Sequence, residues 1–114
     1  MDIRRGEIYL VNLDPIVGRE IGKTRPALII QNDVGNQYSP VTIVAPVTSQ
    51  EASKKYLTDV WVTTEESGLE KKSRVLLNQI KTVDKSRIYK KIGKLSSDKM
   101  REIDQAIRIS LALE

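Results

Sequence analysis

Two apolar runs separated by turn-forming residues dominate the first half of the chain. Residues 27–30 form a short unbroken apolar run, and residues 41–47 carry apolar side chains at every second position. Both segments are therefore predicted to be β-strands. The connector between them is rich in turn formers: Asn32, Asp33, Gly35, Asn36, Ser39 and Pro40. If the two strands pair antiparallel, Arg25 and Thr48 come to the same edge of the sheet, where two polar side chains can act on one ligand.

The same kind of pattern predicts four more strands, at residues 7–13, 58–63, 74–80 and 88–95. Residues 74–80 are predicted to be a central strand, whereas the lysines of residues 88–95 suit an exposed edge. The polar stretches between these strands, residues 65–72 and 81–86, are predicted to be a turn and a short linker with one helical turn.

A long surface loop is predicted at residues 14–24, which contain several breakers and charged residues: Pro15, Gly18, Gly22, Arg19, Glu20 and Lys23. Loops of this length in a small domain are often binding loops, and the alternative is a flexible hairpin tip.

The one clear helix is predicted at the end of the chain. Ser96 or Ser97 is the predicted N-cap, and Asp98 is favourable in the first turn. Apolar residues recur at helical spacing at Met100, Ile103, Ile107 and Leu111, and a second stripe is formed by Ala106, Ile109 and Leu113. So wide a stripe indicates either one large core or packing on the sheet plus contact with another subunit or partner.

Short strands, a long first loop and a final helix predict a mainly β fold with a C-terminal helix. We expect a strongly twisted antiparallel sheet that closes toward a small barrel. Parallel βαβ units are excluded, because no helix is predicted between the early strands.

Composition narrows the class of protein and its chemistry. The 114 residues fit one domain, residues 1–114, with 39% apolar and 30% charged residues. No apolar run is long enough to span a membrane and the first residues do not resemble a signal peptide, so we expect a cytoplasmic protein. The chain has neither Cys nor His, which excludes disulfides, thiolate nucleophiles, Cys-ligated zinc and histidine acid–base catalysis.

Positive charge is concentrated in one part of the chain. The net charge is +4, and residues 71–94 contain nine Lys or Arg against the single acid Asp84. This distribution favours a polyanionic partner, and the alternative is a set of solvated strand edges protected by lysine.

A series of short segments occurs in a characteristic order. They are RGEIYLVNLDP at 5–15, G-x-E at 18–20, KTRPALIIQND at 23–33, GNQYSP at 35–40, IVAPVT at 43–48, LLNQIKTVDK at 76–85 and KIGKLS at 91–96. Together with the final helix, this set resembles the MazF/PemK family of toxin ribonucleases. The similarity extends over nearly the whole chain.

The resemblance implies an SH3-like barrel of the fold shared with CcdB, and a homodimer. It implies sequence-specific cleavage of single-stranded RNA in the bacterial cytoplasm without a metal or other cofactor. It also implies an acidic antitoxin with a disordered inhibitory segment, which neutralises the toxin.

By motif position, the resemblance makes Arg25 in TRPA and Thr48 in APVT the catalytic residues. Glu20 matches a position that is catalytic or contacts RNA. The matching RNA-binding positions are Val17, Gly18, Asn32, Asn36 and Gln79. Val17 stands where some relatives carry an aromatic residue that stacks on a base, and Asn78 replaces an acid found in some relatives. The resemblance therefore does not specify which RNA sequence is recognised.

Residue chemistry is compatible with this assignment. Metal-independent cleavage can use the 2′-OH of the RNA as nucleophile, and it requires stabilisation of the charge on the phosphorane-like transition state. Arg25 can direct two donors to the phosphate oxygens and Thr48 a third. Arginine stays charged and is a poor general base. Glu20, which the resemblance brings in by its motif position, is a candidate base.

Two other classes of function are open from the sequence. A toxin of the same fold can poison gyrase, as CcdB does, although this chain ends Ser-Leu-Ala-Leu-Glu and lacks the Trp-Gly-Ile terminus of CcdB. A noncatalytic basic adaptor could instead bind RNA or a peptide at a sheet edge.

Overall fold

The structure is a computed structural model that describes residues 2–52 and 54–114. Its strands are β1 (Glu7–Asn12), β2 (Thr24–Ile29), β3 (Val41–Thr48), β4 (Asp59–Val62), β5 (Ser73–Leu76), β6 (Lys81–Asp84) and β7 (Ile88–Lys94). Its helices are α1 (Asp33–Tyr38), α2 (Thr64–Ser67) and α3 (Ser97–Leu111), with a 3₁₀ turn at Lys85–Arg87. The mainly β fold with a C-terminal helix is confirmed.

All strands join one antiparallel sheet in the order β4-β5-β3-β2-β1-β7, and β6 pairs with β3 outside this path. Strand β3 lies at the centre, because its first half pairs with β6, its end pairs with β5, and β2 runs along its other side. The predicted antiparallel pairing of residues 27–30 with residues 41–47 is confirmed.

Both faces of β2 are buried. Leu28 belongs to a core that also contains Ile103 and Ala106 of α3. Its neighbours Ala27 and Ile29 belong to a second core on the opposite face. Because successive side chains of a strand point to opposite faces, burial on both sides explains the unbroken apolar run.

The sheet is open and twisted. Strands β4 and β7 lie at its two ends, and no ladder joins them within residues 2–52 and 54–114. Helix α2, which follows β4, instead packs against β7 at two glycines. Gly68 ends the helix with a φ of +78°, and a Cβ there would lie 2.7 Å from the carbonyl oxygen of Ile92, while Gly93 has no room for a Cβ beside the carbonyl of Ser67.

The sequence-based prediction was wrong at three places. The turn predicted in the connector contains helix α1, whose N-cap Asn32 accepts a hydrogen bond from the Gly35 N–H at 2.8 Å. The turn predicted at residues 65–72 contains helix α2, which begins with a capping box between Thr63 and Glu66. Both helices are too short for a 3.6-residue period to appear in the sequence.

The third error concerns the predicted strand at residues 74–80. Strand β5 ends at Leu76, a turn follows, and β6 occupies the predicted linker. Strand β6 was missed because it is four residues long and only Val83 is buried.

The remaining elements follow the prediction. Strand β7 is an edge strand that pairs with β1. Ser96 is the N-cap of α3, because its side chain accepts a hydrogen bond from the Lys99 N–H. Of the helices that the structure describes, none is both long and apolar enough to cross a lipid bilayer.

Candidate active site

Strand pairing brings Arg25 and Thr48 together. Ala27 pairs with Pro46 and Leu28 with Ala45, so continuation of this register places Arg25 opposite Thr48. Both residues line the same surface cavity, which has a volume of about 690 Å³. Arg25 precedes a proline, which restricts its backbone to the extended region that β2 requires.

Thr48 presents a hydroxyl from an otherwise buried side chain. The residue is 4% exposed at the end of β3. Its Oγ1 accepts a hydrogen bond from the Gln50 N–H at 3.2 Å, and no acceptor among residues 2–52 and 54–114 takes the hydroxyl hydrogen. Thr48 can therefore donate to an anionic oxygen in the cavity.

Arg25 is half-buried, and its guanidinium is fixed at one nitrogen. Nε donates to the carbonyl of Gly22 at 2.7 Å. In the part of the chain that the structure describes, no acceptor engages Nη1 or Nη2. These two nitrogens form the fork that suits two oxygens of one phosphate.

The cavity wall beyond Arg25 and Thr48 is basic. It includes Lys71, Lys90 and Lys91 against the single acid Glu70. The Lys91 ammonium lies 2.6 Å from the buried carboxylate of Glu7, whereas no acid of residues 2–52 or 54–114 is within ion-pair distance of Lys71 or Lys90. Lys71 and Lys90 are thus the lysines whose charge is available to an anion.

Glu7 and Tyr9 form a buried pair behind Lys91. Burial raises the pKa of Glu7, but hydrogen bonds from Lys91, the Arg4 N–H and Tyr9 outweigh burial, so its pKa is below the ordinary value. Burial and the neighbouring Glu7 raise the pKa of Tyr9 to about 12. Glu7 is therefore the anion that holds Lys91.

Three predicted site residues lie on the exposed loop before β2. Val17 is 80% exposed, and Gly18 has a φ of +58° with open space around its Cα. The carboxylate of Glu20 accepts a hydrogen bond from the Val17 N–H at 2.7 Å. None of these three residues lines the cavity that contains Arg25 and Thr48.

The other predicted RNA contacts have internal partners. The Asn32 side chain caps α1. Asn36 is 3% exposed, and its amide makes four hydrogen bonds, with Gln31, Asp33 and Thr42. Gln79 accepts a hydrogen bond from the Ile21 N–H at 2.8 Å. Their contact with RNA stays a prediction, and for Asn36 the observed hydrogen bonds favour a structural role.

Comparison with known proteins identifies the family of this chain. The family model described as "PemK-like, MazF-like toxin of type II toxin-antitoxin system" matches residues 4–111. The chain belongs to this toxin family. It is 45% identical to the Endoribonuclease EndoA of Bacillus subtilis (strain 168) over 113 residues, which cover 99% of this chain and 97% of the relative.

Solved structures of the toxin family have the same fold. The Mycobacterium tuberculosis toxin MazF-mt6 matches with a TM-score of 0.80 at 25% identity, covering 95% of this chain and 98% of that one. An endoribonuclease in complex with its cognate antitoxin, from a mycobacterial species, matches with a TM-score of 0.80 at 21% identity. That match covers 98% of this chain and 97% of the solved one.

Sequence reasoning missed several parts of this toxin's cavity. Lys71 and Lys90 line the cavity, and the Gly22 carbonyl holds Arg25. The excess of positive charge in residues 71–94 indicated a basic surface, but it could not select these two lysines. A backbone carbonyl leaves no signal in a sequence at all.

Proposed function

We propose that this protein is the toxin of a type II toxin–antitoxin system and that it cleaves single-stranded RNA at the Arg25–Thr48 cavity. The observation that carries the proposal is the convergence of unused hydrogen-bond donors of Arg25 and Thr48 on one basic cavity. Family membership and the 45% identity to an endoribonuclease support it.

The reaction requires no nucleophile from the protein. The ribose 2′-oxygen attacks the adjacent phosphorus, so an O2′–P bond forms while the P–O5′ bond breaks. The 2′-OH loses its proton, and the departing 5′-oxygen gains one. The products are a 2′,3′-cyclic phosphate and a 5′-OH end.

Arg25 and Thr48 stabilise the charge that develops on the phosphate. Nη1 and Nη2 of Arg25 donate to two phosphate oxygens, and the Thr48 hydroxyl donates a third hydrogen bond. Such donors act strongly because the protein fixes them before reaction, and removal of one typically lowers the rate by about a hundred- to a thousandfold. Arg25 is also the proposed donor of the proton to the leaving 5′-oxygen.

Glu20 is the proposed general base only on the strength of the family motif. Its carboxylate is exposed and accepts a hydrogen bond from the Val17 N–H at Oε1, and Glu20 does not line the cavity. Val17 and Gly18, at the exposed tip of the loop, are proposed to touch the RNA bases next to the cut.

We propose a cytoplasmic homodimer that an acidic, largely disordered antitoxin inhibits. The description of the family as type II toxins supports an antitoxin partner. The basic cavity suits an acidic segment, and α3 exposes Ile109 and Leu111, which can pack against a partner. An acidic segment that folds on binding would compete with RNA for the same charges.

The direct test is to incubate the purified protein with end-labelled single-stranded RNA of mixed sequence in excess chelator. We expect cleavage at defined sites, with 2′,3′-cyclic phosphate and 5′-OH ends. Arg25→Ala and Thr48→Val should each lower the rate by about a hundredfold or more.

Matched controls are Arg108→Ala on the exposed side of α3 and Thr82→Val on β6, which change the same residue types outside the cavity. Intact RNA with wild-type protein, or equal rates for Arg25→Ala and Arg108→Ala, would contradict the proposed function.

A further inference from the structure

The orientation of Arg25 depends on the loop that precedes it. Its Nε donates to the carbonyl of Gly22, three residues earlier. This contact fixes the position of the guanidinium relative to the Gly22 carbonyl. Any shift of the Gly22 carbonyl therefore shifts Nη1 and Nη2 of Arg25, a residue that lines the cavity.

The backbone around Gly22 is held from both sides. The Ile21 N–H donates to Oε1 of Gln79 at 2.8 Å, and the Lys23 N–H donates to Oδ1 of Asp14 at 2.9 Å. The Lys23 carbonyl accepts from the Leu13 N–H at 3.0 Å. Lys23 has a φ of +67°, a strained conformation for a residue with a side chain, which persists only where surrounding contacts impose it.

Gly22 itself is packed tightly. A Cβ at this position would lie 2.6 Å from Oδ1 of Asp14 and 2.8 Å from Cγ2 of Ile16. The carbonyl that holds Arg25 thus belongs to a backbone segment that cannot move without breaking several contacts.

Gln79 is the member of this set that lies outside the loop. Leu13, Asp14 and Ile16 belong to the segment between β1 and β2, whereas Gln79 lies in the turn between β5 and β6. The Gln79 N–H donates to the carbonyl of Leu76 at the end of β5, and β5 pairs with the end of β3, where Thr48 lies opposite Arg74. The hydrogen bond from Ile21 to Gln79 therefore connects the backbone that holds Arg25 to the part of the sheet that positions Thr48.

We propose that Gln79 is a positioning residue for Arg25, acting through Ile21 and Gly22. This inference rests on the proposed RNA cleavage, and it gives the Gln79 side-chain oxygen a task other than the RNA contact predicted from the sequence. The oxygen is committed to the Ile21 N–H, so its loss should affect the chemical step more than RNA affinity.

The kinetic test compares Gln79→Leu, which removes the acceptor, with Gln79→Glu, which retains an oxygen acceptor. The substrate is a short single-stranded RNA that spans one cut site mapped with wild-type protein, in excess chelator. We expect kcat of Gln79→Leu to fall about tenfold to a hundredfold, since misplacement of a catalytic group by about 1 Å can cost a factor of this size. KM should change by less than about threefold, because the proposed task of Gln79 is to position Arg25 and not to bind RNA.

Gln79→Glu should recover most of kcat even where its added negative charge raises KM. The matched control is Gln105→Leu on the exposed side of α3, which should behave as wild type. A raised KM with unchanged kcat in Gln79→Leu, or equal loss of kcat in Gln79→Leu and Gln79→Glu, would overturn the proposal.

A second measurement requires no RNA. Hydrogen exchange of the Arg25 Nε proton, followed by NMR, reports its hydrogen bond to Gly22. Exchange should be faster in Gln79→Leu than in wild type and near wild type in Gln79→Glu, and unchanged exchange in Gln79→Leu would overturn the proposal. If wild-type protein failed to cut RNA, the proposed function would fall while this measurement still decided the role of Gln79.

Discussion

The two ends of the β2–β3 pair carry similar polar residues, but among the described residues the side chains at one end have free hydrogen-bond donors and those at the other do not. At one end, which we call the open end, Arg25 and Thr48 line a cavity and keep hydrogen-bond donors that no other described residue uses. At the other, which we call the closed end, the side chains of Gln31, Asn36 and Thr42 are hydrogen-bonded to one another. The same pair of strands therefore supports a reactive site and a structural network.

The difference shows which polar residues can act on a ligand. A buried polar group that already has partners stabilises the fold, and removal of one partner leaves another group unsatisfied. A polar group that is held at one atom and free at another is oriented and still available. Arg25 is held at one atom and available at others, whereas Asn36 is a buried group that already has its partners.

The largest effect is expected at the open end, for Arg25→Lys. Lysine retains the charge but loses the planar fork and the Nε–H that holds Gly22, so the rate of RNA cleavage should fall about a hundredfold. The free energy of unfolding should change little. Arg108→Lys on α3 is the matched control, and a rate near wild type for Arg25→Lys would show that charge alone is sufficient.

At the closed end, Asn36→Ala should lower the free energy of unfolding by about 3 kcal/mol, because it leaves the buried Thr42 hydroxyl and the Gln31 amide without their shared partner. Chemical denaturation measures this change, and Gln37→Ala, on the exposed side of the same helix, should have little effect. We expect kcat to stay within a few-fold of wild type. A raised KM at unchanged stability would instead support the RNA contact predicted from the sequence.

The third prediction concerns the buried Tyr9, which donates to Glu7 behind the cavity wall. Its pKa is raised to about 12, so the folded state holds the phenolic proton more tightly than the unfolded chain. The contribution of this shift to the free energy of unfolding is fully present below pH 10 and is lost as the pH rises through 12. It amounts to at most about 2.7 kcal/mol, since one pKa unit corresponds to about 1.4 kcal/mol.

Tyr9→Phe provides the reference for this titration, because it lacks the phenolic proton. The stability of wild type relative to Tyr9→Phe should decrease between pH 10 and 12 in chemical denaturation. Tyr56→Phe, at an exposed position, should follow wild type. A difference between wild type and Tyr9→Phe that did not vary over this range would show that Tyr9 titrates as a solvated tyrosine.

The smallest effect is expected from the free lysines of the cavity. Lys71→Met and Lys90→Met should each reduce the slope of log Kd against log salt by about 0.7 if each lysine contacts one phosphate of single-stranded RNA. Binding is measured with an RNA that carries a 2′-deoxy group at the cut site. Lys94→Met is the control, because Lys94 lies on the same strand and does not line the cavity, and an equal change for all three would indicate a diffuse basic surface.

Much of the fold could be predicted because its signals are local. The apolar periods of β1, β3 and α3 and the capping residue Ser96 lie within short segments, so neighbouring residues were sufficient. Helices α1 and α2 and strand β6 were missed because they have four to six residues, too few for a periodic pattern. Hydrogen bonds and pairing with distant strands determine these elements.

The sequence by itself determined the type of the long elements, the excess of positive charge and the absence of Cys and His. It also predicted that Arg25 and Thr48 share one edge of the sheet if their strands pair antiparallel. Only the tertiary structure decided which polar side chains are satisfied and which are free. Asn36, Gln79 and Arg25 are all polar residues in or next to short elements of the sheet and its connections. The partners that distinguish the roles of Gln79 and Lys91 lie 58 and 84 residues away, at Ile21 and Glu7. Hydrogen bonding depends on distances of about 3 Å between atoms, and folding alone sets those distances for residues so far apart in the chain.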